Sequence, residues 1–404
     1  MGLRCLNGFE INRNPEYVPG RTASGHRFCV ENETTMAVKA ASQGKQKVGF
    51  RLDAPAIEHA RAVLEKGSRS KWWRRCGSKE TGFWYVNSSG ERIKSKEDRE
   101  RIKSLVIPPG YLDVRISPSS RSKLQAIAID AAGRIQYRYH PRFCERQASK
   151  KYSKLAEFGR MLPYLRHAVS EHLAESGLGK SRVLALMVRL IAETYFRVGT
   201  EQSARRYKTF GITSLRNHHL SQVEGDQMMF RFVGKRHIPH QRVVANAELS
   251  AIIQEIKQLP GSRLFNYVDE TGKVHPIRPS DINRYVKQHM GAQFSCKDFR
   301  TWGGTLAAAS ALAEIGPAET ERKVKRNIVA ATRSVAEMLG NTPAVCRGSY
   351  IHPSVFESYR QGKTIGDYRK KAARYVRHHP ESYTLDEIAL LRLMEGTAQV
   401  GRCR

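Results

Sequence analysis

A change of hydrophobic period constrains this chain more than any other feature. Between Gly82 and His140 the apolar residues fall into short strand-like runs: Phe83–Val86, Tyr111–Ile116, Leu124–Ile129 and Ile135–Tyr139. Ala131-Ala-Gly133 supplies a hairpin-like link between the last two. From Lys151 onward, apolar residues instead recur at three- and four-residue spacing, first over Leu155–Ala174 and Arg182–Arg197. One interruption occurs near 214–244, where Met228–Val233 and Arg242–Val244 flank Gly234-Lys235 as a small hairpin. Helical spacing then resumes over Ala247–Leu259, Pro279–Met290, Lys297–Ile315, Glu319–Leu339 and Leu385–Glu395. Strands followed by helices, without βαβ alternation, indicate an α+β chain with segregated layers. No internal repeat is evident.

Four segments follow from this patterning. Residues 1–70 read as a basic, largely flexible extension with one short helix from Pro55 to Lys66. Residues 71–150 form a strand-rich domain, residues 151–365 a mainly helical domain with a small antiparallel sheet, and residues 366–404 a helical tail. Charge bounds the partners. The 69 Lys and Arg against 38 Asp and Glu leave a formal +31, an excess suited to a polyanion through phosphate neutralisation. No run of 18 apolar residues suggests a membrane span, and the N-terminus lacks a signal-peptide core. Seven cysteines with no Cys-x-x-Cys pair point away from a disulfide framework or a zinc site and towards a reducing compartment.

The chemistry concentrates in Asn341-Thr-Pro-Ala-Val-Cys-Arg-Gly-Ser-Tyr350. Thr342 reads as an N-cap and Pro343 as the first residue of a new helix carrying Tyr350, with Pro353 expected to end it. A tyrosine hydroxyl, with a reference pKa of about 10, is a poor nucleophile. To attack phosphate it requires cations and hydrogen-bond donors around the reacting group. Upstream residues could supply them. Arg197 lies at the end of an apolar helix before Val198-Gly199. Lys235 occupies a hairpin tip, from which it could protonate a leaving oxygen. Lys297 and Arg300 are three apart at a helix start, and Asn341 sits in the turn with its amide available. Gly303 and Gly304 would weaken that helix, so either close approach of another group or simple helix packing must account for them. Taken singly, each residue also has a purely structural reading.

Their joint order resembles the short poxvirus and bacterial form of the type IB DNA topoisomerases. Leu105–Ile116 and Gly133-Arg-Ile-Gln-Tyr-Arg-Tyr-His140 are similar to that family's N-terminal domain, and the likeness runs from about Trp72 to Tyr359. Asn341 matches a position that is histidine in the viral enzymes and asparagine in many bacterial ones. The resemblance implies a clamp around double-stranded DNA formed by a β-rich DNA-binding domain and the helical catalytic domain. It also implies a monomeric, cytoplasmic, nucleoid-associated enzyme that uses no metal, ATP or other cofactor. Tyr350 would become linked to a 3′ phosphate, Arg197, Arg300 and Asn341 would hold the phosphate oxygens, and Lys235, helped by Lys297, would protonate the leaving 5′ oxygen. Arg134, Gln136, Tyr137 and Tyr139 match the family's DNA-contacting strand. Two departures stand out: Thr200 and Ser203 occupy positions usually held by Asn and an aromatic residue, and no glycine closely follows Lys235. A tyrosine recombinase shares the catalytic set but has a helical N-terminal domain. A non-catalytic DNA-binding protein would not need all four of Arg197, Lys235, Arg300 and Tyr350.

Overall fold

The computed structural model describes residues 54–223, 225–378 and 382–400. Most of the basic extension, residues 1–53, and the last four residues therefore lie outside the described residues. Two compact units divide the chain between Arg138 and Tyr139.

The first unit opens with α1 (Ala54–Leu64), followed by β1 (Trp73–Ser78), β2 (Gly82–Val86), α2 (Lys96–Ser104), β3 (Leu112–Ile116), β4 (Leu124–Ile129) and β5 (Ile135–Tyr139). The strands form one sheet in the order β2-β1-β3-β4-β5. The interior strand β4 follows from the sequence Leu-Gln-Ala-Ile-Ala-Ile, whose last four residues put apolar side chains on both faces. Ile127 and Ile129 pack with Ile57, Ala60 and Leu64 of α1, and Ala126 and Ala128 pack on the other side with Ile102 of α2 and Val114 and Ile116 of β3. Leu124–Ile129 and Ile135–Tyr139 match the strands expected from periodicity. The strand β1 was not expected; its Trp-Arg-Arg-Cys-Gly-Ser sequence shows little alternation, and pairing with β2 and β3 determines it.

The second unit begins with α3 (Pro141–Ser153), α4 (Leu155–Leu173), α5 (Lys180–Thr194) and α6 (Glu201–Tyr207). A three-stranded antiparallel sheet follows, β6 (Leu220–Gln222), β7 (Gln227–Val233) and β8 (Pro239–Ala245). After α7 (Ala247–Lys257) and a short pair, β9 (Asn266–Val268) and β10 (Val274–Pro276), come α8 (Pro279–Met290), α9 (Cys296–Ile315), α10 (Glu321–Leu339), α11 (Pro343–Ser349), α12 (Pro353–Arg360), α13 (Gly366–His378) and α14 (Leu385–Val400). On α4 the buried residues Leu155, Phe158, Leu162, Leu165 and Val169 form one helical stripe. Phe158 meets Phe294 and Phe299 edge-on, with ring centroids 5.5 and 5.2 Å away. The helical tail is anchored in this core. Glu387 of α14 is 4% exposed, pairs with Arg166 at 2.8 Å and accepts a hydrogen bond from the Trp302 indole at 3.3 Å. Among the described residues, no helix is long and apolar enough to cross a membrane.

Candidate active site

Four of the residues singled out in the sequence converge: Arg197, Arg300, Asn341 and Tyr350. Arg197 reaches the site in a way the sequence reading did not anticipate. Helix α5 ends at Thr194, because Tyr195 takes a left-handed conformation at φ 56° and stops it before Val198-Gly199. Arg197 therefore lies on the extended segment after the helix, fixed by the Ile212 amide donating to its carbonyl at 2.8 Å. Phe196 anchors that segment between Phe230 and Phe232, with centroid distances of 5.5 and 5.0 Å. The Arg197 Nη2 donates to Asn341 Oδ1 at 2.7 Å.

Arg300 lies in the first turns of α9, as expected, and is only 3% exposed. Its guanidinium donates to the Tyr195 carbonyl through Nη1 and to the Leu339 carbonyl through Nη2, the latter at 2.7 Å. It also lies over the Tyr350 ring, 5.2 Å from the centroid. Burial, then repulsion from Arg197, lowers its pKa to about 10, so it stays charged at neutral pH.

Asn341 is placed by a Schellman ending of α10. Gly340, at φ 57°, donates its amide to the Glu337 carbonyl at 3.2 Å, and Asn341 donates to that of Ala336 at 2.9 Å. Thr342 caps α11 by accepting from the Val345 amide at 3.4 Å, and Pro343 takes the first helical position. The tyrosine itself corrects the expected helix. It follows α11 as the capping residue, at φ −131°, and Pro353 starts α12 instead of ending the tyrosine's helix. Proline is equally suited to a first turn, and His352 caps that new helix by accepting from the Ser354 amide at 3.1 Å.

The glycines of α9 have a close-approach explanation. A Cβ on Gly304 would stand 2.8 Å from the Tyr350 carbonyl oxygen and 3.2 Å from its Cβ, and one on Gly303 would collide with the Tyr195 ring. The backbone after the tyrosine is held further by Thr305, whose hydroxyl donates chiefly to the Thr301 carbonyl at 2.7 Å, lies 3.3 Å from the Tyr350 carbonyl and accepts from the His352 amide at 3.0 Å. Lys151 on α3 donates to the Ser349 carbonyl at 2.8 Å. Tyr195, Thr305 and Lys151 were all missed in the sequence. Each acts through or upon a backbone carbonyl, a contact that leaves no pattern in residue types.

Electrostatics favour an anion at this place. Burial would raise the Tyr350 pKa, but Arg300, Arg197 and Lys297 together outweigh it and leave the phenol below its ordinary value. Lys297 is exposed, and its charge reaches both Tyr350 and Lys151. Burial, then the Lys297 charge, lowers the Lys151 pKa to about 8. Arg300 Nε and Asn341 Nδ2 are buried without a hydrogen-bond partner among the described residues. These two orphaned donors, one of them on the Arg300 guanidinium itself, together with Arg197 and the phenol fit a tetrahedral oxyanion such as a phosphodiester.

Lys235 stands apart from this cluster. It is exposed at the tip between β7 and β8 and makes no hydrogen bond or ion pair among the described residues. The missing glycine after it has a structural consequence: Arg236 and His237 themselves take left-handed φ values of 66° and 57°. Thr200 and Ser203, the other departure, form a helix cap, with the Ser203 amide donating to Thr200 Oγ1 at 3.2 Å at the start of α6. In the first unit, Arg134 Nε and Gln136 Nε2 donate to Asp130 Oδ2, at 2.7 and 2.9 Å, while Tyr137 and Tyr139 are 43% and 41% exposed. The two tyrosines thus do not pack into the core with Ile135.

Comparison with known proteins shows the family. The family described as eukaryotic DNA topoisomerase I, catalytic core, matches residues 140–378, more than half of the chain, and the bacterial DNA topoisomerase IB N-terminal domain matches residues 82–130. DNA topoisomerase 1B of Acanthamoeba polyphaga mimivirus is 32% identical over 285 residues, covering 69% of this chain and 84% of the viral one. DNA topoisomerase 1B of vaccinia virus (strain Copenhagen) is 20% identical over 271 residues, 64% of this chain and 81% of its own. DNA topoisomerase 1 of rabbit fibroma virus (strain Kasza) is 25% identical over 275 residues, 64% of this chain and 80% of its own. With its phenol, paired arginines and bacterial-type N-terminal sheet, this chain belongs to the type IB DNA topoisomerases.

Proposed function

We propose that this protein relaxes supercoiled double-stranded DNA by transient cleavage of one strand through Tyr350, with residues 151–365 as the catalytic domain and 71–150 as the DNA-binding domain. The supporting observation is the half-buried phenol under Arg300, beside the Arg197–Asn341 pair and two unpartnered donors. In this reading Tyr350 Oη forms a bond to phosphorus as the bond from phosphorus to the 5′ oxygen breaks. The phenol proton leaves to solvent, and the Lys235 ammonium gives its proton to the departing 5′ oxygen. Arg197 and Arg300 hold the non-bridging oxygens, where negative charge accumulates in the pentacoordinate transition state. Asn341 Nδ2 donates to one of them. Lys297 assists electrostatically from the exposed side.

The product is a 3′-phosphotyrosyl link and a free 5′ hydroxyl. One phosphoester replaces another, so rejoining reverses the same steps and requires neither ATP nor metal. While one strand is held, the other end swivels. Arg134, Gln136, Tyr137 and Tyr139 would contact the duplex, the tyrosines by stacking and hydrogen bonding at a groove. The enzyme would act as a monomer on the cytoplasmic nucleoid.

Supercoiled plasmid incubated with the full chain in EDTA tests this directly. Relaxation of both positive and negative supercoils is expected, and none with Tyr350→Phe. Undiminished relaxation by Tyr350→Phe, or no relaxation by the unaltered chain, would overturn the assignment. Because phosphate contacts release counterions, activity should also fall steeply with added salt.

A further inference from the structure

A buried histidine beside the Lys235 hairpin has no part in the chemistry above. His240, the second residue of β8, is 8% exposed and stacks on Phe232, with centroids 5.1 Å apart and planes 20° from parallel. Two glycines flank the ring closely. A Cβ on Gly234 would stand 2.5 Å from its Cδ2 and 2.6 Å from its Nε2, and a Cβ on Gly340 would stand 2.5 Å from its Cε1. Gly234 immediately precedes Lys235, and Gly340 immediately precedes Asn341. One flat ring therefore touches the backbone that carries the lysine and the backbone that carries the amide.

The need for glycine at 234 comes from this ring. Its φ of −94° is open to any residue, so only the missing side chain matters there. The same strand makes a second attachment to the Asn341 turn: Arg242 Nη2 donates to the Met338 carbonyl at 2.7 Å and to that of Glu337 at 3.4 Å. The loop bearing Lys235 is closed by the Gly234 amide donating to the carbonyl of Ile238, the residue before β8, at 2.8 Å. Burial, then the charges of Arg197, Arg242 and Arg300, lowers the imidazole pKa to about 4. The ring is uncharged at neutral pH and so adds nothing to the cation nest. What it supplies is shape.

We propose that His240 is a positioning residue, a spacer that holds the Lys235 hairpin at a fixed separation from the Asn341 turn so that both address the same phosphodiester. The proposal rests on the assignment of Lys235 as the acid. The ring spans a gap that exists only because both flanking residues are glycine, and no other described side chain contacts both of them this closely.

Single-turnover cleavage by the full chain tests it, on two duplexes whose scissile 5′ oxygen is either natural or replaced by sulfur. A thiolate leaves without a proton, so loss of an acid or of its placement is suppressed by sulfur. His240→Ala is expected to slow cleavage of the oxygen substrate about 100-fold, the scale of a misplaced catalytic group, and to cleave the sulfur substrate nearly as fast as the unaltered chain does. His240→Phe, which keeps a ring between the glycines, should lose markedly less. Gly234→Ala, whose new methyl presses on the ring, should reproduce the sulfur-suppressed defect. Combined with His240→Ala it should add little, because the two changes act on one contact. DNA binding, measured in a Tyr350→Phe background, should be unchanged throughout.

An equal loss on both substrates, or additive Gly234 and His240 effects, would overturn the spacer role. Lys235→Ala run alongside separates the two claims. If sulfur suppresses its defect but not that of His240→Ala, only the spacer fails. If sulfur does not suppress the Lys235→Ala defect, the acid assignment fails, and the spacer with it. Should His240→Ala not fold, the Gly234→Ala and His240→Phe pair decides by the same criteria.

Discussion

Arg300 and Lys235 are cations assigned to one phosphodiester, yet the protein treats them in opposite ways. Arg300 is 3% exposed, with two carbonyls fixing its fork and the Tyr350 ring beneath it. Lys235 stands on an exposed tip, and the two residues after it adopt left-handed backbone conformations. Charge that must meet a transition state without reorganisation is buried and prearranged. A proton donor can be delivered with the substrate: the Lys235 side chain has no partner among the described residues, while its loop is tied by the Gly234 amide to Ile238 and by the His237 ring to the Tyr207 carbonyl at 3.1 Å. In the proposed reading, the difference separates a cradle built during folding from an acid that would complete the site when DNA arrives.

Removing the cradle should have the largest effect. Arg300→Ala is expected to slow cleavage about 1000-fold, at the upper end for one preorganised donor, and to lower the melting temperature, since it strips the Tyr195 and Leu339 carbonyls of their partner. Arg300→Lys should restore little, because an ammonium cannot reproduce the fork. A normal melting temperature in Arg300→Ala would show that the cradle is not part of the folded core. Lys235→Ala should cost about 100-fold in cleavage, the lower range for general-acid catalysis, with no change in melting temperature. If Lys235→Ala destabilised the protein, the contrast between the two cations would collapse.

Smaller effects sharpen the boundary of the cradle. Gly304→Ala should destabilise the fold by about 1–3 kcal/mol, the usual cost of overpacking, because its methyl would press on the Tyr350 carbonyl. Denaturant melts with rate measurements would show whether the nucleophile shifts with it. The smallest expected effect is on pH dependence. Lys297 helps to hold the Tyr350 pKa below its ordinary value, so Lys297→Ala should raise that pKa. The rising limb of the pH–rate profile for cleavage should then move to higher pH. An unmoved limb would remove Lys297 from the field acting on the phenol.

Much of this arrangement was legible in the chain itself, and what was not has physical causes. Helix α8, with its Pro279 start, and the strands β4 and β5 have the bounds that period and turn residues indicated. The Asn341–Tyr350 segment announced its cap and turn, although Pro353 was read as a stop and proves to be a start. Tyr195 shows the limit most clearly. Glycine is the usual residue at φ 56°, so Gly199 drew the expected helix end to Arg197, three residues beyond Thr194. Tertiary contact imposes that conformation: the Tyr195 carbonyl accepts from Arg300 while its ring lies over Gly303. His240 was invisible for a related reason, since its importance lies in two distant glycines that it separates. Paired strands such as β9 and β10, three residues each, are defined by their partners more than by pattern.

The covalent intermediate tests the central claim most directly. A duplex with a single-strand break just downstream of a cleavage site traps the cut strand, because the short leaving piece diffuses away. After trapping, protease digestion and mass spectrometry of the DNA-linked peptide identify the residue, and end labelling identifies the DNA terminus. The account requires a peptide containing Tyr350 joined to a 3′ phosphate, formed in EDTA and absent from Tyr350→Phe. A link at any other residue, or to a 5′ end, would contradict it.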